Sequence, residues 1–499
     1  MIRPNLIIVV LTVFFNGCKS PHQDQQVSNS NPPNIIWLMA EDIAPDLECY
    51  GMAAVKTPNL NKLADEGILY TRAFGTNSIC SPNRSAMMVG VHQNITGTQH
   101  HRSNRNMPLA DPYKPITYYL REAGYTCILG HEKVMRNGRK IDVNFKHEPL
   151  GPWDGQENFG LFDKLDTIDA ADQPFFAQIQ LVVTHRGDWW EEISRQSNHR
   201  VNPDSVELPP YMADHPVVRE DWARYLDQIE YMDDEVGMLM QELEEKGLAE
   251  NTVVIFIGDN GRCNIRGKGY LFDPGLHIPL IVRWPAGLEP GQVSKQMISV
   301  TDISASILQL AGVALPEYID SQPFIGASSN RQEVYSARDL WDEVMENSRS
   351  ITTDRFKYVA NYRPEQSFDA RQAYLEFYRP AVHIMRELNS KNQLNAVQEV
   401  FFKPDKPREE LYDLVNDPHE TKNLAGDPAY IGQLEELRSK LETWEANLPD
   451  DQRFKFVDPE AVKILEWVKY TKPELYQEML NGKEIGFQRL AQEFRKLAQ

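Results

Sequence analysis

The sequence predicts an α/β fold: a large mixed, mostly parallel sheet sandwiched by helices, with a smaller C-terminal α+β subdomain containing an antiparallel sheet. Three observations carry that expectation. Short continuous apolar runs, which read as strands buried on both faces, alternate with helical segments up to about residue 330. Beyond that point the pattern turns to alternating and turn-rich stretches. A chain of 499 residues is also long for one hydrophobic core, so a large domain over 33–330 and a partner over 331–450 are expected.

In order, the runs are NIIWLMA (34–40), YTCILG (125–130), PFFAQIQLVV (174–183), TVVIFIG (252–258) and PLIVRW (279–284), all read as parallel strands. The clearest helix covers 221–246, where Tyr225, Ile229, Met232, Val236, Leu239 and Leu243 recur four and three apart. Asp227, Glu230, Asp234 and Glu235 lie off that stripe, and Gly247 stops it. RSITTDRFKYVANY (349–362) alternates as an antiparallel strand pair does, and the turn-rich 409–428 leads into a helix near 429–446. Residues 451–499 read as a charged helical tail.

The N-terminus reads as a targeting segment. Met1–Arg3 supplies positive charge, LIIVVLTVFF (6–15) an apolar core too short to span a membrane, and Asn16-Gly17-Cys18 a cleavage point, giving a signal peptide over 1–18. Gly17-Cys18 resembles a bacterial lipobox; lipidation at Cys18 is expected, with an ordinary cleaved signal as the alternative. A polar linker, 19–32, follows. The protein is therefore expected in the periplasm or as an outer-membrane-anchored lipoprotein, meeting the membrane only through that lipid. Cys49, Cys80, Cys127 and Cys263 are too few for a disulfide framework, although one bridge among them stays open. A net charge of −20, from 52 basic and 72 acidic residues, leaves no footprint for nucleic acid. It does not exclude an anionic substrate, because positive charge can be focused in a cleft.

Ligands of open α/β sheets sit beyond the carboxyl ends of the strands. The residues there are Glu41 and Asp42; His131, Glu132 and Lys133; Thr184, His185 and Arg186; then Asp259, Asn260 and, slightly later, Lys268. Glu41, Asp42, Asp259 and Asn260 form an oxygen-only set that suits Ca²⁺ or Mg²⁺ rather than zinc. Caps or solvated acids are the plainer reading of either pair alone; two pairs after two buried strands favour a cation. In SICSPNR (78–84), Ser81 is a plausible N-cap, Pro82 fits the first helical position and Gly90 ends the helix. Cys80 then lies at the positive end of a helix dipole, where Arg84, Lys133, His185 and Lys268 add donors for a tetrahedral oxyanion. A buried inert thiol is the commoner fate of a lone cysteine, but it leaves Pro82 and Arg84 unexplained.

Cys80-Ser81-Pro82-Asn83-Arg84, ending in Val89-Gly90, resembles the Cys-x-Pro-Ser-Arg signature of the type I sulfatases of the alkaline-phosphatase superfamily. The similarity runs from about 33 to 445 through Gly258-Asp259-Asn260-Gly261, Arg266-Gly267-Lys268, LFDPGLHIPLIVRWP (271–285) and ELYDLVNDPHETKNL (410–424). It implies that Cys80 is converted to Cα-formylglycine (3-oxoalanine) by a formylglycine-generating or anaerobic sulfatase-maturing enzyme. One hydroxyl of the hydrate would attack sulfur, the substrate alcohol would leave protonated by Lys268 or His185, and the second hydroxyl would expel sulfate. It further implies Ca²⁺, with Mg²⁺ the lesser fit, held by Glu41, Asp42, Asp259, Asn260 and an oxygen at position 80, with Arg84, His131 and Lys133 around the diol. Such hydrolyses ask an enzyme for up to ~20 kcal/mol, beyond what one general base supplies, so metal, cations and a covalent route must act together.

Three positions depart from the family pattern: Asn83 stands for Ser, Glu41 for Asp, and Gly130-His131-Glu132-Lys133 reverses the Lys and His of the family's Gly-Lys-x-His loop. His100, His101, Arg102 and His277 are candidate substrate contacts, each with a satisfied or surface side chain as the alternative. The expected substrate is a sulfated glycan, an ulvan-like algal polymer or a heparan-type chain whose N-sulfate is cleaved. The competing readings are a phosphodiesterase or phosphonate monoester hydrolase of the same superfamily, and an inactive glycan-binding lipoprotein.

Overall fold

The computed structural model describes residues 32–449 except 104, 188, 198, 343 and 371, together with 473, 474 and 477. The expected signal, nearly all of the linker and nearly all of the 451–499 tail lie outside the described residues.

The large sheet is built from β1 (Asn34–Ala40), β2 (Ile68–Phe74), β3 (Thr126–Leu129), β4 (Lys164–Leu165), β5 (Phe175–Leu181), β6 (Thr252–Gly258), β7 (His277–Arg283), β8 (Gln292–Ser294) and β9 (Ile298–Ser299). Its order is β8-β2-β7-β6-β1-β5-β3-β4, with β9 also on β2. Because side chains alternate across a strand, a continuous apolar run feeds two cores at once. Ile36, Leu38 and Ala40 of β1 enter one core and Ile35, Trp37 and Met39 the other. The helix α1 (Cys80–Val89) and the helix α3 (Val300–Leu310) cover the second face, while the long α2 (Pro216–Glu245) covers the first with the apolar stripe expected of it.

Two expectations need correction. The run at 279–284 is a strand, but β7 is antiparallel to both β2 and β6. An apolar run is equally buried in either direction, so composition does not encode orientation. The long helix starts earlier than 221: Pro216 takes the first turn and the His215 ring accepts the Val217 N–H at 3.2 Å. Asp227 and Glu235, off the stripe, are nevertheless buried, Asp227 accepting from Ser194 Oγ and the Val201 N–H. Strand β2 has no counterpart in the apolar runs, because Thr71 and Arg72 interrupt it.

The second sheet is the antiparallel array β10 (Glu333–Trp341), β11 (Val344–Thr353), β12 (Phe356–Asn361) and β13 (Glu409–Asp413), in that order. The helix α4 (Ile431–Ala446) closes it, Leu434, Leu437 and Leu441 packing on Ile351, Tyr358 and Leu411. The two sheets are stitched together beside α1. Ser336 Oγ donates to the Gly75 carbonyl at 2.7 Å, the Ala337 N–H to Thr76 at 2.9 Å, and the His101 N–H to Leu340 at 3.0 Å. That seam carries the end of β10, with Trp341 and Asp342, to the mouth of the large sheet's crevice. All four described cysteines are free. Among the described residues no helix is long and apolar enough to cross a membrane.

Candidate active site

The neighbouring strands β1 and β6 end side by side and deliver Glu41, Asp42, Asp259 and Asn260 together, all of them buried. Asp42 sits in the left-handed region (φ 49°), a conformation held by its N–H on Asp259 Oδ1 at 3.0 Å. Its Oδ1 accepts from Asn260 Nδ2 at 3.0 Å and from Lys268 Nζ at 2.6 Å. Arg84 grips Asp259 Oδ2 through Nε at 2.9 Å and Nη2 at 2.8 Å, and Lys140 Nζ lies 2.5 Å from Glu41 Oε2. Three buried carboxylates thus face three cations. Burial opposes charge on Lys268, yet Asp42 beside it holds its pKa well above the ordinary lysine range.

Helix α1 begins at Cys80 itself. Ile79 is the N-cap, Ser81 lies inside the first turn and Pro82 takes its third position, which corrects the expected Ser81 cap and the expected Pro82 start. Gly90 closes the helix in the left-handed region, as expected. Asn83, the departure from the signature, works as a brace: its Oδ1 accepts the Thr76 and Asn77 N–H groups, and its Nδ2 donates to the Asp259 carbonyl at 2.6 Å. The longer amide thereby ties helix, preceding loop and β6 together. Burial pushes the Cys80 thiol up despite nearby Lys268, so this cysteine is a poor thiolate as it stands.

Ser81 fixes the state of His101. The Arg102 N–H donates to Ser81 Oγ at 3.1 Å, and Ser81 Oγ stands 2.8 Å from His101 Nδ1. In a fully buried hydroxyl the proton then goes to Nδ1, leaving Nε2–H as the donor, aimed toward Asp342 at 3.7 Å. Burial, and then Arg102, pull the His101 pKa well below 6.5, so the ring is neutral. His185 behaves alike through burial and Lys268; its Nε2 lies 3.8 Å from Glu41 and 4.0 Å from Asp42.

A cavity of about 460 Å³ opens over these groups, lined by Cys80, His101, Arg102, His185 and Lys268 from the expected set, with Glu41 at its floor. Four expected residues lie elsewhere. His131 and Lys133 turn away to the far end of α2, where Glu242 takes His131 Nε2 at 3.3 Å and Lys133 Nζ at 2.6 Å. His277 Nε2 bonds the Thr71 carbonyl at 2.9 Å and its ring stacks on Phe74, an anchor between strands. His100 is buried off the lining, its carbonyl held by Asn144 Nδ2 at 2.7 Å. The cation that meets Glu41 is instead Lys140, seven residues beyond Lys133, and the C-terminal subdomain adds Trp341, Asp342 and Tyr374. Gly269 makes room for that addition, since at φ +88° a Cβ there would overlap the Trp341 ring. Lys140 carried a weak signal, a basic Gly138-Arg139-Lys140 run that begins nine residues past the end of β3. Trp341 and Tyr374 carried none, because only the docking of the second sheet brings them near.

Among the described residues no three His, Cys, Asp or Glu side chains stand close enough together to hold a metal as they are, with Lys140 and Lys268 lying on the carboxylates. The donor chemistry nevertheless fits a hard cation. Asp42 Oδ2 and Asn260 Oδ1 are buried oxygens with no hydrogen-bond partner, within a set that offers oxygen only.

Hard-oxygen donors, a ring of fixed cations and a cysteine at a helix start define a hydrolase for tetrahedral oxyanion esters. The chain belongs to the sulfatase family, whose profile matches residues 33–313. A second profile, N-sulphoglucosamine sulphohydrolase, C-terminal, matches 261–372. An ulvan-active sulfatase of Formosa agariphila is 31% identical over 89% of this chain and 82% of its own. The N-sulphoglucosamine sulphohydrolase of Homo sapiens is 27% identical over 83% of this chain and 90% of its own. The crystal structure of the yidJ protein of Bacteroides fragilis shares the fold with a TM-score of 0.60 at 19% identity, over 88% of this chain and 100% of that one. The protein is therefore a sulfatase, of a family that usually uses formylglycine and a metal ion.

Proposed function

We propose that this sulfatase removes sulfate esters from a sulfated polysaccharide or its oligosaccharides, with an ulvan-like glycan as the leading substrate. The observation that carries this reading is the placement of buried Cys80 at the start of α1, on the wall of the cavity whose floor holds Glu41 and Lys268. Matured to formylglycine, position 80 supplies a geminal diol, which is both the nucleophile and the means of releasing sulfate. Glu41, Asp42, Asp259 and Asn260 would hold Ca²⁺, which would supply charge neutralisation for the sulfate. The chain's own groups do the rest. Arg84 and Lys140 hold the carboxylates in place, and the neutral His101 offers Nε2–H to a sulfate oxygen. Lys268, whose Nζ lies 2.6 Å from Asp42, or His185, both on the cavity lining, gives the leaving alcohol the proton it needs.

The test is Cys80→Ala beside wild type co-expressed with a maturation enzyme. Sulfate release should fall by at least about 10³-fold with the fold intact by circular dichroism, and the wild-type peptide should carry the aldehyde. Undiminished turnover, an unmodified thiol, or a strong preference for an aryl phosphodiester over an aryl sulfate would overturn the reading. The match to the sulphohydrolase C-terminal profile supports a second substrate reading, N-sulfate on glucosamine, which the same assay on N-sulfated glucosamine decides. We also propose export with a lipid on Cys18, testable by fatty-acid labelling that Cys18→Ser removes.

A further inference from the structure

Six lysine and arginine side chains line the cavity against two carboxylates, Glu41 and Asp342, in a protein of net charge −20. Five of the six have a carboxylate partner: Lys140 with Glu41, Lys268 with Asp42, Arg186 with Asp221, Arg102 with Asp142 and Arg139 with Asp166. Arg136 has none among the described residues. Its guanidinium lies instead over the Trp189 ring, 4.3 Å from the centroid. The ring is fixed in turn: its Nε1–H donates to the Val183 carbonyl at 2.8 Å, and Gly187 packs so closely that a Cβ would overlap it. Arg136 itself is presented by a left-handed pair, Arg136 and Asn137 (φ 54° and 56°). That turn is tied down by the Met135 N–H on Glu235 and the His131 N–H on the Asn137 carbonyl.

A guanidinium backed by an aromatic face, preorganised and without a carboxylate among the described residues, is a receptor for an anion. Resting on the sulfatase reading, we infer that Arg136, positioned by Trp189, binds a second anionic group of the substrate, so that the preferred substrate is at least dianionic. The second group is a carboxylate or sulfate on the sulfated sugar or its neighbour. Steric reach does not choose between them, since both present the planar or trigonal oxygen pairs that a guanidinium matches.

The experiment compares three probes: an aryl monosulfate, a monosulfated disaccharide bearing a uronate, and a disulfated disaccharide. In Arg136→Gln the kcat/KM preference for dianionic over monoanionic probes should fall about tenfold, carried by KM, and the salt dependence of that preference should shrink. Trp189→Leu should give part of the same loss. The disaccharide arm that suffers more identifies the second group. Equal losses on all three probes would overturn the inference. Calorimetric binding to Cys80→Ala, with and without Arg136→Gln, separates the two claims: no turnover of any probe by the matured enzyme refutes the sulfatase reading, whereas unchanged affinity for the dianionic probes refutes only the role of Arg136.

Discussion

The floor of the cleft and its rim are built from the same residue types under opposite physics. On the floor, Asp42, Asp259, Arg84 and Lys268 are between 0% and 2% exposed, and each charge touches its opposite. Removing one partner there strands a buried charge, at a cost of about 3–5 kcal/mol. On the rim, the side chains of Arg102 and Arg139 are 47% and 44% exposed, so water screens the arginine end of pairs whose carboxylates, Asp142 and Asp166, are 5% and 15% exposed. Floor identities are therefore fixed by the reaction and by stability together, while rim identities are free to follow the substrate. The same contrast separates Lys140, which reaches the floor, from Lys133, which its chain position suggested would.

Lys140→Met gives the sharpest break. The aliphatic stem stays, but Glu41 loses the cation at 2.5 Å. Burial already pushes the Glu41 carboxyl up, with Lys140 and then Arg84 opposing. Without Lys140 the carboxyl moves higher, so the charged form needed at the floor survives only at higher pH. We expect kcat/KM to fall about 10²-fold and the acid limb of the pH–rate profile to move upward. An unmoved profile would place Lys140 on the rim.

Ser81→Ala tests the next layer. It removes the proton that sets the His101 tautomer and leaves the Arg102 N–H unsatisfied, without touching the floor. A loss of about tenfold in kcat/KM is expected, partly restored in Ser81→Thr, together with a changed ring tautomer by ¹⁵N NMR. His101 also contributes a pH term. Its folded pKa lies below its ordinary 6.5, so the unfolded chain binds the proton first. Stability is thus lost as pH falls below 6.5 toward the depressed value, and His101→Gln should flatten that slope.

Much of the floor was legible because its residues follow buried strands immediately: Glu41 and Asp42 after β1, Asp259 and Asn260 after β6. A continuous apolar run announces the strand, and chain continuity fixes what comes next. Legibility failed where a loop intervenes. After β3 the chain turns at Gly130 (φ +78°) toward α2, so position in sequence put His131 and Lys133 at the crevice while the backbone took them to Glu242. The direction of β7 and the arrival of Trp341, Asp342 and Tyr374 depend on which surfaces dock, and no local pattern records that. Asn83 looked like a weakened signature, and its amide proved to have three loop and strand partners that a serine is too short to share.

Lys133→Ala is the complementary, smallest test. Glu242 holds Lys133 at 2.6 Å, Lys246 at 2.7 Å and His131 at 3.3 Å, and the Lys133 side chain is 39% exposed. Burial works against charge on Glu242, yet Lys133 and Lys246 bring its carboxyl down from 4.5 to about 2. With Lys246 still in place, losing Lys133 leaves the carboxylate paired and far from the cavity. We expect kcat/KM to change by less than about twofold, as for other screened pairs. The measurable trace is in acid: a depressed carboxyl stabilises the fold above 4.5 and loses that contribution as pH falls toward about 2, so the variant should show a shallower stability loss across that window. A large fall in turnover at neutral pH would instead put Lys133 at the sulfate, and the floor would have to be redrawn around the loop after β3.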